Sequence, residues 1–71
     1  KKHIATLLDL EKEDMALVGH IYSVAGQLAR DNGIAEDGFR IVSNCNEKGG
    51  QSVYHIHFHL LGGRNMQWPP G

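Results

Sequence analysis

Three histidines stand at every second position near the end of this chain, at His55, His57 and His59. Side chains alternate between the two faces of a β-strand, so a strand here would place the three rings on one face, roughly 6 to 7 Å apart. The apolar residues between them would face the opposite way, into a core. Because imidazole can bind a metal, move a proton or act as a nucleophile, this run is the main indication of chemistry in the sequence.

A metal site is one interpretation of the histidine run, because imidazole is a common zinc ligand. The spacing is unfavourable, since His55 and His59 lie roughly 13 Å apart by strand rise alone and one tetrahedral ion cannot easily take all three rings. Two rings could bind an ion together with a donor such as Cys45 or His3. We predict no metal and no cofactor, and a zinc-binding scaffold stays an alternative.

Nucleophilic catalysis at phosphorus is a second interpretation. A neutral imidazole can attack phosphorus and form a covalent intermediate that water later hydrolyses. Its other nitrogen must be held by an acceptor, so that the attacking nitrogen keeps its lone pair. His57 has a histidine on each side and is the natural nucleophile, while His55 and His59 could donate to phosphate oxygens or to the leaving group. A third interpretation is that the rings only line a groove.

The residues before the histidines favour phosphate chemistry. Gly49 and Gly50 would allow the backbone to approach an anion closely, and Gln51 and Ser52 would add hydrogen-bond donors. Asn44, at the end of the preceding strand, could reach the same pocket. Hairpin turns also use glycine, so the combination with the histidines is what predicts a phosphate pocket.

An amphipathic helix must help to position these groups. Apolar residues at three- and four-residue spacing predict a helix over about 10–31. Asp9 is its expected N-cap, and Gly33 can adopt the left-handed conformation that ends a helix.

Two strands and a tail follow the helix. Strands are predicted over about 38–44 and 52–61, and their short connection favours an antiparallel hairpin. The tail, 62–71, has no regular period. A hairpin with one helix is thin, so we expect an α+β fold whose antiparallel sheet is completed by other strands, from upstream sequence or from a partner chain.

Composition excludes several classes of protein. The 71 residues carry a net charge of −1 and one cysteine. At most one domain fits this length, and the near-neutral charge gives no indication of a nucleic-acid polymer as partner. No apolar run is long enough to span a membrane, and one cysteine cannot form an internal disulfide. The expected compartment is the cytoplasm.

The segment Gly49–Arg64, GGQSVYHIHFHLLGGR, resembles the signature of the histidine triad (HIT) superfamily. The tail that follows, NMQWPPG, resembles the purine nucleoside phosphoramidase branch, the histidine triad nucleotide-binding proteins. Dinucleotide hydrolases of the superfamily share the triad and the Gln51 position but lack that ending. The resemblance extends back to the opening residues KKHI and makes residues 1–71 the C-terminal part of a single HIT domain.

The resemblance implies an enzyme that hydrolyses purine nucleoside 5′-phosphoramidates, and acyl-adenylates, to the nucleoside monophosphate. His57 would be the nucleophile that becomes nucleotidylated, and His59 and Ser52 would lie beside the phosphate and the leaving group. His55 would support the constellation. The phosphate would be held by residues of the preceding loop and strand, namely Asn44, Gly50, Gln51 and Ser52.

The resemblance also implies partners and alternatives. The ligand would be an AMP or GMP derivative, and the protein would be a homodimer in which Trp68 on the tail reaches the partner's active site and sets substrate preference. The alternatives are a dinucleoside polyphosphate hydrolase, a zinc-binding scaffold and a non-catalytic dimeric adaptor.

The first half of the family domain would supply early strands, most of the purine and ribose pocket and a further histidine that supports the nucleophile. The 71 residues alone are therefore expected to be inactive.

Overall fold

The computed structural model describes residues 3–71, so Lys1 and Lys2, which the resemblance includes, lie outside the described residues. One helix, α1 (Met15–Asp31), precedes two strands, β1 (Phe39–Val42) and β2 (His59–Gly62). Short 3-10 turns occupy three further segments: Leu7–Asp9, Lys12–Asp14 and Glu47–Gly49. The predicted α+β class, with one long helix and an antiparallel sheet, is confirmed. No helix within residues 3–71 is long and apolar enough to cross a membrane.

The helix begins later than the sequence predicts. Asp9 does not cap it but closes a separate 3-10 turn, where its carboxylate accepts from the Thr6 backbone N–H at 3.1 Å. Asp14 accepts from the Glu11 backbone N–H at 2.8 Å and stands directly before Met15. The expected N-cap is therefore wrong, because acidic side chains that could cap one helix instead cap two short turns before it.

The helix ends as predicted. Gly33 has φ of 73° and donates its N–H to the Arg30 carbonyl at 3.2 Å. The Asn32 backbone N–H donates to the Leu28 carbonyl at 3.0 Å, and the Asn32 side chain donates to the same carbonyl at 2.8 Å. These bonds satisfy carbonyls of the last turn that have no partner within the helix.

The predicted antiparallel hairpin forms, but its strands are shorter than expected. The register pairs Phe39 with Gly62 and Val42 with His59. Beyond Val42 the two strands no longer pair, so the expected strand over 52–61 is regular only from His59 onward. Among the described residues, residues 52–58 make one backbone hydrogen bond to a distant segment, from the Ile56 N–H to the Ile4 carbonyl at 2.7 Å.

An open apolar cleft of about 220 Å³ lies between α1 and the hairpin. Its walls include Leu28 from the helix and Ile41, Phe58 and Leu60 from the strand side. Tyr22 meets Phe58 edge to face, with ring centroids 6.0 Å apart. Because no large side chain is fully buried, the described residues form a two-layer arrangement whose apolar interior stays partly uncovered.

Candidate active site

The His57 ring is fixed by a backbone acceptor. Its Nδ1 lies 2.7 Å from the His55 carbonyl oxygen. A carbonyl can only accept, so Nδ1 carries the proton and, in the neutral ring, Nε2 holds the lone pair. This is the arrangement that a histidine nucleophile requires, and it arises between residues two positions apart, where the chain bends before β2.

The three rings do not form one row, as the sequence predicts for a continuous strand. Together with a fourth ring, that of His3, they form two separate pairs. His57 and His59 lie edge to face with ring centroids 5.0 Å apart. His55 instead turns toward His3, with ring centroids 4.9 Å apart and Nδ1 atoms 3.1 Å apart. The physical reason is that only His59 belongs to a paired strand, so residues 55 and 57 are not held in a common pleat.

Asn44 lies two residues beyond the end of β1. The pairing with β2 stops at Val42 and His59, so it does not fix the position of Asn44 relative to His57. The Asn44 amide also lies beside the glycine loop, since a Cβ atom built on Gly50 would be 3.6 Å from Asn44 Nδ2. The end of the strand and the glycine loop therefore meet in the fold, and their meeting with the histidines stays a prediction.

The glycine loop is closed by its own backbone hydrogen bonds. The Gly50 N–H donates to the Glu47 carbonyl at 3.0 Å, and the Gly49 N–H donates to the Asn46 carbonyl at 3.2 Å. Gly50 has φ of 90°, a conformation that a side chain would strain. Gly50 thus shapes the loop through its conformation, and its N–H is occupied within the turn.

Gln51 is buried, and its hydrogen bonds run to the backbone. Its Oε1 accepts from the Asn46 N–H at 2.7 Å, and its Nε2 donates to the Ala5 carbonyl at 2.8 Å and the Val53 carbonyl at 3.2 Å. Its own N–H donates to the Asn46 carbonyl at 3.0 Å. Because both side-chain N–H groups and the backbone N–H are engaged, Gln51 has no donor left for the phosphate expected there and instead clamps the loop to residue 5.

Ser52, next along the chain, is exposed, and no hydrogen bond to its hydroxyl is seen within residues 3–71. Ser52 and the Asn44 amide thus both have side-chain donors open to a ligand. Across residues 3–71, no three His, Cys, Asp or Glu side chains come close enough together to hold one metal ion.

The tail passes along β1. Arg40 donates from Nη2 to the Gln67 carbonyl at 3.1 Å, and Trp68 follows directly. A shallow groove lies between Trp68, Pro70 and the strand residues around Val42. Trp68 remains 84% exposed, so the tail is attached at one point and presents its largest ring to the outside.

Sequence reasoning missed the contacts of His3, Gln51 and Arg40. The two ends of the His3–His55 contact are separated by 52 positions, and those of the Arg40–Gln67 contact by 27. No periodicity or local motif reports such a separation. In the sequence, the family resemblance of both the opening residues KKHI and the histidine run was the indication that these two segments lie close together.

Comparisons with known proteins place this chain among proteins with the same histidine pattern. A model of the HIT domain matches residues 1–66. The purine nucleoside phosphoramidase of Escherichia coli K12 is 51% identical over 63 residues, which are 89% of this chain and 53% of that protein. A HIT-like protein of Synechococcus elongatus is 48% identical over 71 residues, all of this chain and 61% of that protein.

A solved structure agrees with these sequence matches. The crystal structure of a HIT family hydrolase from Legionella pneumophila Philadelphia 1 superposes with a TM-score of 0.95 at 55% identity, covering 100% of this chain and 63% of that one. The chain thus spans between about half and two thirds of the length of each relative that it matches.

Proposed function

Because this chain belongs to the HIT domain family, we propose that it carries the catalytic half of a hydrolase that cleaves purine nucleoside 5′-phosphoramidates, and acyl-adenylates, to the nucleoside monophosphate. The observation that carries the proposal is the 2.7 Å bond from His57 Nδ1 to the His55 carbonyl. It orients the ring and leaves Nε2 as the nucleophilic atom. The name of the Escherichia coli relative supports the substrate class.

In the first step of the proposed reaction, His57 Nε2 attacks the α-phosphorus and the bond from phosphorus to the leaving nitrogen breaks. The electron pair of that bond leaves with the amine, which takes a proton donated by His59. His59, whose ring lies 5.0 Å from that of His57, and Ser52 are the groups proposed to donate hydrogen bonds at this end. The resulting nucleotidyl-imidazolium ring still has its Nδ1–H directed at the His55 carbonyl, which stabilises the positive charge.

In the second step, water attacks the same phosphorus and the bond to His57 Nε2 breaks. The electron pair returns to Nε2 and the nucleoside monophosphate leaves. The water proton passes to His59, which gave up its proton in the first step. The protein therefore returns to its starting protonation state, with no external acid or base consumed.

Phosphate binding is assigned to donors that remain open. Asn44 lies beside Gly50 and Ser52 is exposed, so both are proposed to donate to phosphate oxygens. Gly50 contributes its left-handed conformation, and Gln51 holds the loop in place. The pocket would thus have two side-chain donors, Asn44 and Ser52, on either side of a hydrogen-bonded turn.

The assembly proposed for the active protein is a homodimer, and the proposed compartment is the cytoplasm. The open apolar cleft and the exposed Trp68 are surfaces that a second chain or further strands would cover. In that assembly Trp68 is proposed to contact the leaving group and to set substrate preference.

The test uses protein expressed from its complete reading frame and an adenosine 5′-phosphoramidate. His57→Ala should lower turnover by roughly a thousandfold or more, because it removes the nucleophile itself. Denaturing mass spectrometry after brief mixing should show one adenylyl group on the unchanged protein and none on the variant.

Gln27→Ala is the control, since it removes an exposed polar side chain from α1 that does not line the cleft shared with His59. Its turnover should stay within about twofold of the unchanged protein, because a surface substitution away from the reacting groups has little effect. An adenylyl adduct that persists on the His57→Ala protein would overturn the assignment of the nucleophile.

A further inference from the structure

One peptide group connects the nucleophile to a distant segment of the chain. The carbonyl of His55 accepts from His57 Nδ1 at 2.7 Å, and the N–H of the same peptide unit, on Ile56, donates to the Ile4 carbonyl at 2.7 Å. Hydrogen bonds at the two ends of a peptide polarise one another, because each increases the dipole that the other uses. The His57 acceptor is thus oriented, and strengthened, by residue 4.

The side chain of His55 is held by the same distant segment. Its Nδ1 lies 3.1 Å from His3 Nδ1. Two neutral imidazoles can share one proton across such a contact only if one ring is protonated at Nδ1 and the other at Nε2. The contact therefore fixes complementary tautomers, as well as the rotamers, of the two rings.

The segment that presents His3 is itself anchored at two further points. The Ile4 carbonyl accepts from Ile56, and the Ala5 carbonyl accepts from Gln51 Nε2 at 2.8 Å. Ile4 is 5% exposed, which makes it one of the most buried residues described. His3 is exposed at the end of this anchored segment, so its ring can transmit the position of the segment to His55.

We propose that His3 is a positioning residue for the nucleophile, acting through the His55 ring and the peptide between residues 55 and 56 on His57. The inference rests on the proposed nucleotidyl transfer to His57. His3 holds no reacting atom. It fixes the residue whose carbonyl determines the tautomer and the direction of the His57 ring.

Three substitutions separate this role from general loss of an imidazole. In His3→Asn the amide group lies near the position of Nδ1, and in His3→Gln it lies near the position of Nε2. His3→Ala removes both. On the protein from the complete reading frame, with an adenosine phosphoramidate, kcat should fall about tenfold for the Ala and Gln variants, a smaller loss than that of a displacement by a full ångström.

The Asn variant should keep at least half of the original kcat, because it restores a hydrogen-bonding atom where Nδ1 stood. KM should change by less than twofold in all three, since the nucleotide pocket is unaltered. If the Asn variant falls as far as the Gln variant, or if the Ala variant keeps its kcat, the proposal is overturned. Should the Ala variant fail to fold, the Asn and Gln variants still decide.

A spectroscopic measurement separates this proposal from the proposed function. In ¹⁵N spectra of the imidazole rings, the Nδ1–H tautomer of His57 should dominate in the unchanged protein and in the Asn variant, and should decrease in the Gln and Ala variants. No substrate is needed. If the unchanged protein does not cleave phosphoramidates, the proposed function fails, and an unaltered His57 tautomer in the Gln and Ala variants would still refute the role of His3.

Discussion

Gln51 shows how a single polar side chain can replace packing at a site with little core. It is 6% exposed, and its amide bonds three backbone groups: Asn46 and Val53, which are near it in the chain, and Ala5, which is 46 positions away. A buried polar group is stabilising only when its partners are all present, because an unpaired partner loses water and gains nothing in return. Position 51 therefore requires a side chain that accepts one hydrogen bond and donates two, as an amide does.

We predict that Gln51→Glu lowers the free energy of unfolding by about 1 to 3 kcal/mol. The substitution places a carboxylate oxygen against the Ala5 and Val53 carbonyls, which removes two donated bonds and adds repulsion. Urea denaturation of the product of the complete reading frame, near neutral pH, measures the change.

Gln67→Glu is the matched control for Gln51→Glu, because Gln67 is exposed and its contact with Arg40 uses only its backbone carbonyl. It should alter the free energy of unfolding by less than about 0.5 kcal/mol. Equal effects of the two substitutions would show that Gln51 does not clamp the loop.

At the scale of elements, the sequence predicted the presence of the helix and the hairpin, but not their lengths. Gly33 ended the helix as expected because its positive φ is a local requirement that a glycine reveals. The strand over 52–61 was expected from the alternation of histidines and apolar residues, but such a pattern describes one strand and not its partner. Regular pairing needs a partner, and β1 supplies it for the residues from His59 onward.

The candidate site was predictable to the same extent. The types and spacing of the histidines predicted His57 as the nucleophile, which stays a prediction. The acceptor of its Nδ1 lies two residues away and is a local feature. The ring partner of His55 is residue 3, and one acceptor of Gln51 is the carbonyl of residue 5, across long sequence separations that no local pattern encodes.

The tail is an element whose position depends on one side chain. Arg40→Ala removes the hydrogen bond to the Gln67 carbonyl and should release Trp68 from β1. We predict that the ratio of kcat/KM values between a bulky aryl amine and a small alkyl amine as leaving group changes severalfold. The rate with the small leaving group should stay within about twofold, because the reacting groups are untouched.

Arg64→Ala provides the comparison, since the hydrogen bond of Arg64 within residues 3–71 runs to the carbonyl of the adjacent Asn65, at 3.1 Å. It should leave the leaving-group ratio unchanged. A constant ratio in Arg40→Ala as well would show that the anchor does not influence preference.

At the scale of the whole molecule, the described arrangement has more surface than a closed domain. Its accessible surface is 5700 Å², whereas a folded monomer of this mass would expose about 4,400 Å². Its radius of gyration is 13.5 Å, compared with about 11 Å for a compact domain of this length. The excess comes with apolar side chains left open, among them Leu17, Val24 and Leu28.

We therefore predict that residues 1–71, produced alone and kept dilute, do not form a cooperatively folded monomer. Amide proton–nitrogen spectra should show poor dispersion, and a dye that binds exposed apolar surface should become fluorescent. The product of the complete reading frame, measured under the same conditions, should show neither property. A well-dispersed spectrum from the dilute 71 residues would contradict the prediction.

Trp68 is the single tryptophan of the chain, and it is 84% exposed on a tail held at one point. All indole emission from this molecule therefore originates at one position, and in the arrangement described here that position faces water. Any event that covers the tail, whether a second chain or a leaving group, would shift the emission to shorter wavelength. The molecule thus contains its own optical probe at the point where substrate preference is proposed to be set.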